Sequence, residues 1–397
     1  MIKKVLWVVP PVALDTNVSG AASRYLQNLR MLHELGVQVT GVRVGHTSEL
    51  DAVEIDSGHG TALVHQWHEI RLPYLQKRSR FTMLRQTLLD VVRWEYPQSE
   101  AVGAALTRLS NEVIPDLIWV EGIDLAAAAR HVPSRKCLYS EHDIAHQVRS
   151  IRMGARQSLK ERWLLRACQR AEQRILEATS QVLTGSSSDA QKLRQMGAKQ
   201  VTVIPITYDL IPPSSAPFAQ TPRIVHLGSL ETTANRVGLE GYLRKAHPAV
   251  QRESDLALTI VGDASRVKPP LSDLLRQAGA TLVGYAPDLN TALRPGDLAI
   301  LPYEHDTGYR TKLPLLLAYG QVVISTRAAI AGSMLPGLEN VCLIVDQVEE
   351  FPKVLIPLAK DAPRRMSLSN AAREFFEAHF THPCVLDSYR NLLKDLL

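Results

Sequence analysis

The chain has 397 residues, 45% hydrophobic and 21% charged, a globular balance with room for two domains of ordinary size. No apolar run approaches the roughly 18–20 residues that span a bilayer, which excludes an integral membrane protein of the helical kind. Cys137, Cys168, Cys342 and Cys384 are far apart with no CxxC spacing, as fits buried or free thiols in a reducing cytoplasm. The basic excess belongs to the first half: residues 1–205 hold 26 Lys and Arg against 20 Asp and Glu, and the remainder 19 against 20.

The opening MIKKVLWVVPPVAL superficially resembles a signal peptide, but Pro10 and Pro11 break its apolar stretch and no small-residue cleavage site follows. A first strand over Val5–Val9 is the better reading. Gly20 opens a helix, Ala21–Leu35, with apolar residues at Tyr25, Leu29, Leu32 and Leu35; Gly36 ends it, and Val37–Val44 is the next strand. Strands then recur at Leu117–Val120, Cys137–Tyr139, Val182–Thr184 and Val201–Ile204, with helical segments between. Residues 205–222, with Pro212, Pro213, Ser214 and Ser215, read as a linker. The alternation restarts at Ile224–Leu227, Leu258–Val261, Thr281–Val283, Leu298–Leu301, Val322–Ser325 and Cys342–Val345. Strands alternating with helices imply parallel, doubly wound sheets, and two such α/β domains invite a ligand site in a cleft between them, near the strands' C-terminal ends.

The stretch 306–332, DTGYRTKLPLLLAYGQVVISTRAAIAG, reads as a loop, a helix over Leu313–Tyr319, a buried strand and a second loop. Thr307 and Gly308 allow a tight turn whose following amides point at an anion, with Arg310 and Lys312 beside it. That pattern suits a diphosphate, and it equally suits an ordinary helix–strand joint. HDIAH, His142–His146, has the i,i+4 histidines of a zinc helix, but Asp143 replaces the needed glutamate and no third ligand is evident. GSSSD, Gly185–Asp189, lacks the second glycine of a hydrolase elbow, and Ser186 or Ser188 as a helix cap explains it better.

Two basic tracts stand out. Residues 71–85, RLPYLQKRSRFTMLR, carry five basic side chains interleaved with Leu72, Leu75, Phe81, Met83 and Leu84. Residues 149–174 place Arg149, Arg152, Arg156 and Lys160, then Arg162, Arg166, Arg170 and Arg174, at helical spacing, so that each set shares a face if its helix is continuous. Solvated helix faces explain both; together they suggest an anionic membrane surface or a lipid-diphosphate acceptor, and no nucleic-acid module accompanies the charge.

In order and spacing the pieces resemble GT-B glycosyltransferases, closest to the retaining group called family 4, over nearly the whole chain. The carriers are Ser19-Gly20 with LQNLRMLHELGVQVT, PDLIWVEG, YSEHD, ILEATSQVLTGSSSDAQKL with VTVIPITYD, IVHLGSLETTANRVGL, LTIVGD, LVGYAPDL and the 306–332 stretch. The resemblance implies two Rossmann-like domains facing a cleft: residues 1–205 on the acceptor side, a linker over 206–222, a donor nucleotide-sugar domain over 223–380, and a C-terminal helix within 381–397 returning to the first domain. It implies a metal-independent hexosyltransferase without cofactor. The reaction moves a sugar from a nucleoside diphosphate to a glycan or lipid-linked acceptor, in the cytoplasm or peripherally on the inner face of the membrane, in cell-envelope polysaccharide or glycolipid synthesis. Its catalytic residues would be His142, Arg310 and Lys312, with Gly20, Asn235, Thr307, Gly308, Tyr309, Thr311 and Leu315 at the donor. The chain departs from the family where two glutamates are usual: Leu315 stands where one grips the nucleotide ribose, and Thr307 stands eight residues earlier. Leucine accepts no hydroxyl hydrogen bond, so the resemblance also admits a catalytically degenerate GT-B protein that binds a partner or ligand. An epimerase or hydrolase of this fold has no motif in its favour.

Overall fold

The computed structural model describes residues 2–12, 14, 20–53, 60–73, 91–132, 136–154 and 156–396. The chain forms two compact units, one of residues 1–206 with 385–397 and the other of residues 207–384.

The first unit is built on seven strands: β1 (Lys4–Val9), β2 (Gln38–His46), β3 (Gln66–Leu72), β4 (Leu117–Glu121), β5 (Cys137–Glu141), β6 (Gln181–Thr184) and β7 (Val201–Val203). All pair in parallel, in the order β3-β2-β1-β4-β5-β6-β7. Alternation along each strand separates two apolar layers. Leu6, Val8, Ile118 and Val120 face one, and Val5, Trp7, Leu117 and Trp119 face the other. Both faces are covered, which is why the inner strands read as unbroken apolar runs. Strand β3, QWHEIRL, escaped the sequence reading because it is an edge strand: its residues are half-buried or exposed, and its charges pair locally, Arg71 with Asp51 and Glu69.

Helix Gly20–Glu34 buries Tyr25, Leu29 and Leu32 in the second layer, and Gly36 at φ +71° ends that segment. The C-terminal helix Leu386–Asp395 packs Tyr389, Leu392 and Leu393 into the same layer. The basic tract 149–160 does not lie on one helix. Helix Ala145–Met153 ends at Gly154, whose φ of 77° and ψ of −175° no helix continues, and a second helix, Leu159–Ala178, starts after Ser158, whose hydroxyl caps it through the Glu161 amide. Arg149 and Arg152 are therefore separated from Lys160 and its followers. In the other tract, residues 74–85 lie outside the described residues, and Arg71 and Leu72 belong to β3.

The second unit holds β8 (Ile224–Leu227), β9 (Leu258–Val261), β10 (Thr281–Gly284), β11 (Leu298–Leu301), β12 (Val322–Thr326) and β13 (Cys342–Val345), all parallel, in the order β10-β9-β8-β11-β12-β13. Residues 207–222 form no helix and are held along this unit. Tyr208 bridges to Thr381, and the buried Arg365 guanidinium donates to the carbonyls of Ala219 and Gln220. In each sheet the strand order reverses direction once, between β1 and β4 in the first and between β8 and β11 in the second. Loops leaving the C-terminal ends of those neighbours diverge to opposite faces and leave a crevice where ligands bind in such sheets.

Candidate functional site

The second sheet's crevice is lined by an enclosed polar cluster. Gly228 follows β8 directly, Tyr303 follows β11 by two residues, Asn235 lies in the first turn of helix Thr233–Lys245, and Lys312 begins helix Lys312–Ala318. The Lys312 ammonium donates to Asn235 Oδ1 at 2.5 Å and to the Tyr303 hydroxyl at 3.0 Å. That hydroxyl donates in turn to Asn235 Oδ1 at 3.0 Å, and Asn235 Nδ2 donates to the Ser229 carbonyl at 2.6 Å. A Cβ on Gly228 would collide with Nζ, so the glycine makes the space that the ammonium fills. Burial first, and the Arg310 charge second, pull the Lys312 pKa well below its usual value. Burial pushes the Tyr303 phenol up to about 12. His226, fully buried on β8, is held well below the usual imidazole range by burial and then by Lys312. The cluster is thus short of negative charge, the condition under which an entering anion gains most.

Arg310 is placed differently. Its guanidinium lies 4.6 Å from the Tyr303 ring centroid, Nε donates to the Ala329 carbonyl at 3.0 Å, and Nη2 donates to the His305 carbonyl at 3.0 Å. Its amide donates to Ser333 Oγ at 3.2 Å. Arg310 therefore ties its own loop down. Gly308, at φ +63°, and Thr307 are buried, while Tyr309 and Thr311 are half-buried. The Thr311 carbonyl accepts the Tyr208 hydroxyl at 2.8 Å. Helix Lys312–Ala318 has seven residues, and no side chain caps its N-terminus. Leu315 is half-buried between the buried Pro314 and Leu316.

A second cluster occupies the crevice of the first sheet. Glu121 ends β4 and is 1% exposed. Its Oε1 accepts from Trp7 Nε1 at 2.8 Å and from Asn28 Nδ2 at 2.8 Å, and its Oε2 faces His142 Nε2 at 3.2 Å. Burial alone would raise this carboxyl, but the bonds from His142, Trp7 and Asn28 outweigh it and hold the pKa below the ordinary value. His142 stands one residue beyond β5, and Tyr25 meets it edge-on at 5.1 Å. Asn28 Oδ1 accepts the Tyr389 hydroxyl at 2.5 Å, which joins the cluster to the C-terminal helix. Gly20 is the first residue of helix Gly20–Glu34.

The histidine pair of HDIAH does not converge: His142 meets Glu121, whereas His146 Nδ1 bonds Glu172. Among the described residues no group of three His, Cys, Asp or Glu could hold a metal ion. Ser186, not Ser188, caps helix Ser187–Gln195, accepting from the Asp189 amide at 3.0 Å. The structure brings Asn235 and Lys312 together and sets Arg310 beside them. Tyr303, Gly228 and Glu121 were missed. The signal for Glu121 was present, a single acidic residue closing the apolar run LIWV.

Two parallel, doubly wound sheets in two units make the GT-B fold, and comparison with known proteins agrees. Residues 221–361 match the family model described as glycosyl transferases group 1. Over its full length the chain is similar to a glycosyltransferase from Rickettsia africae, at 15% identity and TM-score 0.63, covering 100% of this chain and 98% of that one. It is similar to a sucrose-phosphate synthase from Thermosynechococcus elongatus, at 16% identity and TM-score 0.66, covering 99% of each. Anabaena HepE in complex with UDP and glucose matches at 13% identity and TM-score 0.64, covering 99% of this chain and 100% of that one. No curated protein matches by sequence.

Proposed function

We propose that the chain is a retaining, family 4 type glycosyltransferase that moves a hexose from a nucleoside diphosphate donor to a glycan or lipid-linked acceptor in envelope polysaccharide or glycolipid synthesis. The observation that carries this is Lys312, a half-buried lysine at the reversal of the second sheet, within residues 221–361 that match group 1 glycosyl transferases. When the sugar C1–O bond breaks, the electron pair stays with the diphosphate. Lys312, with the field of Arg310, stabilises the charge that develops there. In this reading the two cations take the part a metal plays elsewhere. HepE, solved with UDP and glucose, supports a UDP-sugar as the first donor to try.

Peripheral contact with an anionic membrane surface is part of the proposal. Helix Leu159–Ala178 exposes Leu159 (78%) and Trp163 (45%) one turn apart, beside exposed Lys160, Arg162 and Arg166. Apolar side chains among cations are what an interfacial helix presents to anionic lipid. No described helix is long and apolar enough to cross a membrane.

A second reading, a degenerate GT-B protein that binds without transfer, is favoured by Leu315 and Thr307 in place of carboxylates. Thermal melts with UDP, GDP, ADP and dTDP separate the two, since a ligand that binds the native state raises its stability. One nucleotide raising the melting temperature, followed by turnover of its sugar donor, supports transfer. Binding without turnover supports the degenerate reading, and no binding removes both nucleotide readings.

A further inference from the structure

Glu121 gives the histidine beside it a fixed polarity. The carboxylate only accepts hydrogen bonds, so each neighbour must donate to it. Trp7 Nε1 and Asn28 Nδ2 both donate to Oε1, and His142 Nε2 faces Oε2. The same requirement orients Asn28: its Nδ2 also reaches Ser140 Oγ at 3.4 Å, and its Oδ1 is left to accept from Tyr389. A neutral His142 therefore carries its proton on Nε2. Its Nδ1 bears a lone pair and has no hydrogen-bond partner among the described residues, although the side chain is 20% exposed. Tyr25 holds the ring edge-on.

We infer that Glu121 is a positioning residue that locks His142 as the Nε2–H tautomer, so that Nδ1 is presented as a hydrogen-bond acceptor to a sugar hydroxyl. The inference rests on the glycosyltransferase reading only for the ligand; the tautomer follows from the first unit alone. The tautomer sets the direction of that bond: the Nδ1 lone pair accepts from a sugar hydroxyl, whereas an Nδ1–H would donate to the hydroxyl oxygen. Neither donor nor acceptor sugar is excluded by this chemistry, so both are probed.

The test uses full-length protein labelled with 15N-histidine at about pH 9, where an ordinary imidazole is neutral, and His142 assigned by its loss in His142→Asn. Wild type should show a pyridine-like Nδ1 and a pyrrole-like Nε2. In Glu121→Gln the carboxamide oxygen must stay at the Oε1 position to accept from Trp7 and Asn28, which turns its NH2 toward His142. The ring must then accept at Nε2, and the tautomer reverses. An Nδ1–H ring in wild type, or an unchanged tautomer in folded Glu121→Gln, overturns the inference; if the variant does not fold, the wild-type spectrum decides. UDP-glucose, methyl α-glucoside and UDP are then added, with binding followed by calorimetry. Movement of Nδ1 by UDP-glucose assigns a donor hydroxyl and movement by the glucoside an acceptor hydroxyl. A bound sugar ligand that leaves Nδ1 unmoved overturns the acceptor role. Failure of UDP-glucose to bind counts against the UDP-sugar donor and leaves the tautomer result standing.

Discussion

The side chain of Lys312 ends in the space where Gly228 lacks a Cβ. One residue comes from the turn after β8 and the other from a helix 84 positions later, and neither has its role without the other. The arrangement sets a half-buried lysine among neutral oxygens, and most of what can be tested in the second unit follows from it.

Replacing Gly228 by alanine should displace the ammonium and strain the turn together. Gly228 has φ +122°, where a side chain is disfavoured by about 1–3 kcal/mol. The Gly228→Ala variant should melt earlier and bind UDP more weakly than Gly279→Ala, where φ is +60° but a new Cβ meets open space. Equal UDP affinity in the two folded variants would separate Lys312 from the phosphate.

Nucleotide binding should consume protons. Burial and Arg310 hold the pKa of Lys312 down in the free protein, and an anion beside it favours the charged form and raises that pKa. Between the two values the complex holds more protons than the free protein, so affinity falls as pH rises through that window. Calorimetry of UDP in buffers of different ionisation enthalpy should report uptake of up to about one proton. The uptake should disappear in Lys312→Met.

Leu315 offers a gain of function. It is half-buried, so a carboxylate there keeps access to water, and Leu315→Glu should fold. A restored charge-assisted bond to a ribose hydroxyl is worth roughly 1.5–3 kcal/mol, on the order of tenfold to a hundredfold in UDP affinity. Deoxyribose nucleotide, compared by titration, should gain less. No gain for either, with the melt unchanged, would show that the ribose does not lie beside this helix.

The exposed pair on helix Leu159–Ala178 predicts a lipid dependence. Leu159→Ser and Trp163→Ser should each lower sedimentation with vesicles of anionic phospholipid by about tenfold, the worth of one buried large side chain. Binding of wild type should weaken with salt and be weak on neutral vesicles. Full retention of binding by the double variant would assign these side chains to another contact.

Much of this was legible in the sequence because buried parallel strands announce themselves. Runs such as LWVV and LIWV have no other comfortable place. QWHEIRL does not announce itself, since an edge strand alternates charge with half-burial and reads like a loop. Arg310, Lys312 and Asn235 could be picked out by spacing. What spacing does not carry is which donors are already committed, and Arg310 commits two of its nitrogens to the carbonyls of Ala329 and His305. Tyr303 and Glu121 acquire their meaning from residues 9 to 114 positions away that only the sheet order brings near.

The first unit closes with residues 385–397, after the whole of 207–384 has been made. The layer around Tyr25 and Leu29 is completed only by Tyr389, Leu392 and Leu393, from a segment that follows the whole second unit in sequence. The second unit, uninterrupted in sequence, is free to fold earlier. Truncation before Val385 would spare every strand of the second sheet, yet would strip apolar cover from helix Gly20–Glu34 and deprive Asn28 of the hydroxyl that Tyr389 supplies.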